Sequence, residues 1–442
     1  MTEINGTNTG LTFKVMRHAP ELICPANPTP YEFKELSNLD NNKGLRVHLP
    51  FILFYKNHTS NINSSLRGFD DPAKVIKDAI AKALVSYYPI AGRLRETGEG
   101  KLVVECNGKG VLFIEGDADV TLDDFGHPLH PPFPCSDELL YGVPVTSEIL
   151  HSSLLIIQVT RLKCGGFIFA LSLNHAMTDG IGLVQFLNAV TELAGGAQHP
   201  SIPPVWMRHL LSDAPGPSQG SYHEDVRYEY NCITSPLDEL VHKSFFFGSA
   251  EIARLQESVS PSTTFELIIA HLWRCHTMAL YSDPQETVQL TFVMNTRSKY
   301  NPSLPTGYYG NVIAVPIAQA TTAELSENPF QYIVDLVKRT KENVNVNVNV
   351  NVNEEYVKSL ANRMAVGRFT VSDHRRIGLN CLDFGWGRPV YGGFGRGSEF
   401  NPYLGYITCF TPFKHLGKSG VLVPICLPRS AMEKFVNLVS LV

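Results

Sequence analysis

The chain has 442 residues, 44% of them apolar and 18% charged, with 29 prolines and a formal net charge of -5 at pH 7. That length exceeds one ordinary core and predicts two domains, and the composition excludes a disordered or fibrous chain. The acidic balance excludes broad binding to a nucleic-acid backbone, which calls for a concentrated basic face.

At the start, MTEINGTNTGLTFKV is polar and lacks the apolar core of a signal peptide, and no later run is long and apolar enough for a membrane span. Nine cysteines (Cys24, Cys106, Cys135, Cys164, Cys232, Cys275, Cys381, Cys409 and Cys426) are scattered with no C-x-x-C pair. They read as reduced thiols of a cytoplasmic protein, neither a zinc site nor a disulfide frame. Asp71-Pro72 supplies an N-cap and a first-turn proline for an amphipathic helix, with Val75, Ile76, Ala79, Ile80, Ala83, Leu84 and Tyr87 on one stripe and Pro89 as its stop. Two β-like runs flank Asn107-Gly108 in KLVVECNGKGVLFIEG and predict a hairpin. A second hairpin is predicted in SLLIIQVTRLKCGGFIFALSLN, turning at Gly165-Gly166 and ending at Asn174. His175 follows at once, then Asp179-Gly180. Leu183, Val184, Leu187, Val190 and Leu193 are spaced for a helix that Gly195-Gly196 terminates.

From about Gln198 to Tyr230 proline, glycine and serine accumulate, so residues 198–230 read as a crossover between an N-terminal domain, 1–197, and a C-terminal domain, 231–442. The second half resumes with the capping-box pattern Thr263-x-x-Glu266 ahead of FELIIAHLWRC. Strand-like VQLTFVMN, GNVIAVPIA, YITCFTPF and GVLVPICLP make this half mixed as well. Between them, NVNVNVNVNVN, from Asn343 to Asn353, has the period of a strand. Asparagine is a poor strand former, so it reads as a surface-loop expansion rather than an exposed edge strand.

Three roles are open to His175. A metal ligand needs two or three companions, and no His-x-x-x-His or cysteine cluster provides them. A packed histidine and a catalytic base both remain, and a strand end followed by a tight turn and a helix favours the base, because such a side chain is held rigidly yet reaches a cleft. Asp-Gly is read as the turn, since glycine accepts backbone angles that other residues resist. Asp179 either orients the imidazole, as in a Ser-His-Asp site, or bonds elsewhere and holds the loop. No G-x-S-x-G elbow is present, so direct transfer between two bound substrates is expected.

Downstream, DFG in LDFGWGRPVYGG lacks the catalytic and glycine-rich loops of a kinase. Gly392-Gly393-Phe394-Gly395-Arg396-Gly397 reads as a mobile loop rather than a phosphate cradle. Asp383, Gly385, Trp386 and Gly387 describe a tight loop carrying an aromatic anchor.

Taken together, His175-x-x-x-Asp179-Gly180 and Asp383-Phe384-Gly385-Trp386-Gly387 resemble, in order and separation, the paired signatures of the plant BAHD acyltransferases. YYPIAGRLRE, QVTRLKCGGF and NTRSKYNPSLPTGYYGN extend the resemblance along the chain. APELICPANPTPYEFKELSNLD and GLVQFLNAVTELAGGAQHPSIPPVW are most similar to the family's alcohol acyltransferases, which form volatile acetate and benzoate esters. The resemblance implies an α/β fold of two similar-sized chloramphenicol acetyltransferase-like domains, with mixed sheets, an active-site channel between them, and a segment near 383–400 packed on the N-terminal domain.

It also implies that His175 is the general base moving an acyl group from acyl-CoA, a co-substrate rather than a bound cofactor, to a small alcohol in a ternary complex without metal. Asp179 is then expected to pair with Arg297 and, with Gly180, to brace the loop. Asp383, Gly385, Trp386 and Gly387 serve folding and acyl-CoA binding. Ser372 and Asp373 in TVSDHRR match a channel-lining segment. Backbone N–H groups at Ser262 to Thr264 are open to a CoA phosphate, with simple helix capping the preferred reading. The oxyanion donor is not marked in the sequence. Two other functions remain open: an amine N-acyltransferase using the same base, and a non-catalytic member binding a metabolite or another protein through the channel. The expected protein is a cytoplasmic monomer with no nucleic-acid or membrane partner. The Asn-Val repeat and FGRGSEFNPYLGY depart from the family pattern.

Overall fold

A computed structural model describes all residues except 1, 5–6, 8–9, 58–69, 99, 143–148, 212–239, 345–366, 397, 402–404 and 441–442. Cys232, the greater part of the Asn-Val repeat and the later part of the crossover fall outside the described residues.

The first helix, Pro72–Ser86, starts where Asp71 accepts the Ala73 N–H at 3.3 Å, and it buries Ala73, Ile76, Ala79, Ile80, Ala83 and Leu84. That apolar stripe packs against the helix Gly180–Ala194 over one face of a seven-stranded mixed sheet. The sheet runs in the order Tyr391–Phe394, His48–Tyr55, Phe167–Asn174, Leu155–Leu162, Val111–Ala118, Val15–Arg17, and Glu21–Ile23 also pairs with Val111–Ala118. Phe167–Asn174 is its central strand, antiparallel to His48–Tyr55 on one side and Leu155–Leu162 on the other. The turn from Leu155–Leu162 into Phe167–Asn174 is at Gly165, whose φ of +79° suits glycine.

The expected hairpin at Asn107-Gly108 does not form. Leu102–Cys106 belongs to a separate three-stranded sheet with Glu32–Glu35 and Arg93–Glu96, while Val111–Ala118 runs parallel to Leu155–Leu162. Gly108 and Gly110 both have positive φ, and the Gly110 N–H is claimed by the Ala91 carbonyl at 2.9 Å, so the turn hands the chain from one sheet to another. The glycine run after Val390 is also corrected. Tyr391–Phe394 is a strand hydrogen-bonded to His48–Tyr55, with Phe394 opposite Phe51, and not a mobile loop.

The second half builds a nine-stranded mixed sheet around Leu240–Gly248, Lys418–Pro428, Gly405–His415, Arg368–Asp373 and Thr287–Asn295. The helix Thr264–Leu280 covers it, burying Trp273 completely, and starts at the predicted capping box: Glu266 N–H to Thr263 Oγ1 at 3.3 Å and Thr263 N–H to Glu266 Oε2 at 2.8 Å. The two halves exchange strands at the chain's extremes. Thr2–Glu3 pairs with Leu240–Gly248, and Tyr391–Phe394 joins the first sheet. The architecture is α/β with two domains of mixed sheet. Among the described residues no helix is long and apolar enough to cross a membrane.

Candidate active site

The central strand ends at Asn174, and the backbone turns there. The Met177 N–H donates to the Asn174 carbonyl at 3.0 Å, and the Asn174 side chain accepts the Ala176 N–H at 3.1 Å. The His175 N–H is taken by the Val47 carbonyl at 2.8 Å. His175 Nδ1 lies 3.0 Å from the Thr178 carbonyl, which can only accept, so Nδ1 carries the ring hydrogen. The Nε2 lone pair is then the proton-accepting face of the neutral ring. Burial lowers the His175 pKa from 6.5, opposed by the carboxylates of Asp179 and Asp40, so the ring is neutral near pH 7.

Asp179 caps the helix Gly180–Ala194. Its Oδ1 accepts the Ile181 and Gly182 N–H groups at 3.1 and 3.0 Å. Arg297 closes on the same carboxylate with Nη1 to Oδ2 at 2.8 Å and Nη2 to Oδ1 at 2.9 Å, and the Val312 N–H adds a bond to Oδ2 at 3.0 Å. Nη2 of Arg297 also donates to the Gly310 carbonyl at 2.8 Å. The Asp179 oxygens bond to Ile181, Gly182, Val312 and Arg297, so the carboxylate is committed to the helix start and to Arg297 rather than to the imidazole. Gly180 is the first residue of the helix and has no positive φ; a Cβ there would meet Ile377 at an ordinary 3.6 Å. The tight position is Gly182, where a Cβ would overlap Thr178 Oγ1 and the Tyr309 carbonyl. Glycine is therefore required not by the turn at Gly180 but two residues later, by close packing inside the helix.

Ser372 and Asp373 sit at the end of Arg368–Asp373 and differ in what they offer. Asp373 is locked onto Arg375, accepting from its N–H at 3.1 Å, Nε at 2.8 Å and Nη2 at 2.6 Å. Ser372 Oγ lies 2.8 Å from His374 Nε2. His374, which sequence reasoning passed over, stacks on Phe51 with centroids 6.0 Å apart and lies 5.0 Å from the Phe394 ring. Burial, with a smaller contribution from the charge of His175, lowers its pKa to about 4, so a second neutral imidazole stands within electrostatic reach of the first.

The DFGWG loop is tied by Asp383, whose Oδ1 accepts the Gly385 and Gly387 N–H groups at 2.8 and 2.9 Å. Gly385 and Gly387 both have positive φ. Trp386 packs edge-on against Phe167 at 5.4 Å, and Phe384 against Phe169 at 5.1 Å. Phe167 begins the strand that ends at Asn174, and an eight-residue strand spans roughly 24 Å. The tryptophan is thus anchored at the far end of the strand from His175. At Ser262 to Thr264 the Thr263 N–H is consumed by the capping box and the Ser262 N–H by Gln256 Oε1 at 3.1 Å, which is the capping reading. Among the described residues no cluster of His, Cys, Asp or Glu has a metal-binding arrangement.

A family profile described as "Transferase family" matches residues 13–441. A benzyl alcohol O-benzoyltransferase of Nicotiana tabacum is 50% identical, over 97% of this chain and 93% of its own length. A (Z)-3-hexen-1-ol acetyltransferase of Arabidopsis thaliana is 44% identical over 97% and 95%. The solved structure of vinorine synthase matches with a TM-score of 0.74 at 22% identity, covering 97% of this chain and 98% of that one. F. sporotrichioides TRI101 complexed with coenzyme A and T-2 matches with a TM-score of 0.62 at 13% identity, over 92% and 97%. At these identities the structural matches speak for the fold.

Proposed function

We propose, from the premise that the chain belongs to the BAHD acyltransferase family, that it transfers a benzoyl, acetyl or similar acyl group from a CoA thioester to a small alcohol. The observation that carries the mechanism is the 3.0 Å approach of His175 Nδ1 to the Thr178 carbonyl: with Nδ1–H held there, Nε2 is left as a fixed proton acceptor. Nε2 takes the hydroxyl proton as the alcohol oxygen attacks the thioester carbonyl, a contribution of roughly 100- to 10,000-fold. The tetrahedral intermediate then breaks its C–S bond, the ester forms, and the proton on Nε2 passes to the departing CoA thiolate. Both substrates are present together, with no covalent acyl-enzyme. Asp179 and Arg297 hold the loop, Gly180 only opens the helix behind it, and the Asp383 to Gly387 turn supports the fold beneath the acyl-CoA path. Ser372, hydrogen-bonded to His374, is assigned to the channel wall, whereas Asp373 is occupied by Arg375.

The names of the relatives favour an alcohol acceptor over an amine, and benzyl alcohol with benzoyl-CoA is the first pair to try. We place the N-terminal domain at 1–197, the crossover at 198–230 and the C-terminal domain at 231–442, in a cytoplasmic monomer that holds no cofactor between turnovers. The test is release of CoA thiol by purified protein from benzoyl-CoA or acetyl-CoA, with benzyl alcohol, (Z)-3-hexen-1-ol or benzylamine at equal concentration. Ester product and alcohol-dependent thiol release are expected, and His175→Ala should reduce turnover roughly 100- to 10,000-fold, leaving a residual rate above background. Full turnover by His175→Ala would overturn the mechanism; faster reaction with the amine would move the acceptor class.

A further inference from the structure

We propose that Asp40, Arg208 and Asn311 are positioning residues for His175, a second brace beside the Asp179–Arg297 pair and joined to it through the Gly310–Val312 backbone. The proposal rests on the reading of His175 as the base.

Three distant parts of the chain converge behind the histidine loop. Asp40 follows the strand Glu32–Glu35, Arg208 lies in the crossover segment, and Asn311 ends NTRSKYNPSLPTGYYGN. Arg208 and Asp40 are both buried, with side chains 1% and 0% exposed. Arg208 Nη1 reaches both carboxylate oxygens, at 3.1 and 3.2 Å, and Nη2 donates to the Met177 carbonyl at 2.8 Å. The guanidinium is enclosed by the rings of Trp206, Tyr309 and Tyr308, 4.4, 5.0 and 5.5 Å from their centroids. Asp40 is fixed in turn: Oδ2 accepts the Ser37 N–H at 3.1 Å and its hydroxyl at 2.7 Å, and Oδ1 accepts the Asn311 N–H at 3.1 Å and Nδ2 at 2.8 Å. Asn311 Nδ2 donates also to the His175 carbonyl, at 2.8 Å.

The carbonyls of His175 and Met177 are thereby both held by this cluster, one through Asn311 and one by Arg208 directly. A fully buried ion pair is a poor way to gain stability, because desolvation offsets most of the attraction. What it supplies is direction. Donors of fixed orientation on two carbonyls of a four-residue turn set the backbone from which the imidazole projects, and a base displaced by about 1 Å loses on the order of 100-fold in rate. Gly310 fits the same picture, since a Cβ there would overlap Arg208 Nη1. Because the three residues come from the first half, the crossover and the second half, the base is aligned only when all three parts are in place.

The test compares Asn311→Ala, which leaves the ion pair intact, with Arg208→Lys and Asp40→Asn, each in native and His175→Ala backgrounds and with folding checked by circular dichroism. In folded variants kcat should fall about tenfold or more, while KM for acyl-CoA and for alcohol stay within about threefold. In the His175→Ala background the same substitutions should cost nothing further, because they act through the imidazole. For Asp40→Asn the acid limb of kcat/KM should also move to lower pH. The ring lies in the field of Asp40, Asp179 and His374, with Arg208 and Arg297 paired to the two carboxylates, and this change removes one of the two carboxylates that favour its protonation. A folded variant with native kcat, or an equal loss in both backgrounds, overturns the proposal. Full turnover by His175→Ala alone would instead overturn the reading on which it rests.

Discussion

Asp179→Asn is nearly isosteric and removes one charge. The carboxylate accepts from Ile181 N–H, Gly182 N–H and Arg297 Nη2 on Oδ1, and from Arg297 Nη1 and Val312 N–H on Oδ2. An amide keeps one acceptor oxygen and turns an NH2 group onto donors. If the oxygen faces the helix, the NH2 confronts Arg297 Nη1 and the Val312 N–H; if it faces those, the helix N-cap is lost, worth about 1 kcal/mol. Either way Arg297 loses its partner. Breaking a buried ion pair costs about 3 to 5 kcal/mol, and since the Arg297 side chain is 19% exposed the lower end, about 3 kcal/mol, applies. For a cooperative unit of some 200 residues this corresponds to about 6 to 12 °C in melting temperature. Activity should fall more than stability implies, because the helix start and the histidine turn share this anchor; at 20 °C, below the melting transition, a kcat loss on the order of 100-fold is expected. The assays are a thermal melt by circular dichroism and initial rates of thiol release on the same preparation. A melting temperature within about 2 °C of native, with kcat within twofold, would refute the reasoning.

Gly182→Ala should abolish most activity through overlap with the Tyr309 carbonyl, whereas Gly180→Ala, with only ordinary contact to Ile377, should retain it; paired kcat measurements decide between the two glycines. With His175 required neutral and its pKa below 6.5, kcat/KM should be flat near neutral pH and decline only at pH values below 6.5, as rates across pH 4.5–8 would reveal. Stability should fall on the acid side as well. Burial lowers His271 to about 4 and His276 to about 3, so the unfolded chain binds more protons below pH 6.5. Their contribution is complete above 6.5 and is lost as pH falls, by about 2 kcal/mol per histidine at pH 5, measurable as a drop in urea midpoint. Trp386→Ala should cost about 3 to 5 kcal/mol by emptying the space against Phe167, again read by urea midpoint.

What the sequence revealed of the fold was what neighbouring residues decide among themselves. Asp71-Pro72, the Gly165 turn and the Thr263–Glu266 box each act within a few residues, and each forms as expected. Partner choice between strands is different, because it is settled by the whole sheet. Val111–Ala118 reads as half of a hairpin, yet burial on both faces places it parallel to Leu155–Leu162, and the turn glycines serve a change of sheet. The glycine run at Gly392-Gly393 looked loose because glycine is permissive. Its backbone is instead held by ladder bonds to His48–Tyr55, with close approach to Leu379 and Tyr391 leaving no room for side chains.

The same division runs through the site. His175 and its Thr178 partner are three residues apart, so the motif could mark the imidazole but not decide between a packed histidine and a base. That distinction depends on what holds the turn, and the holding groups are remote: Arg297 lies 118 residues from Asp179, and Arg208 and Asn311 lie 168 and 271 residues from Asp40. Their individual sequence signals are weak, since two separate arginines, one aspartate and one asparagine have no periodicity or spacing to reveal them. Only the resemblance pointed to Arg297, and nothing pointed to the Asp40 cluster. The consequence is physical. A base whose alignment is assembled from groups in both halves works only in the docked protein, so a mutation that loosens the contact between halves should reach kcat through Arg297 and Asn311 before it disturbs either sheet.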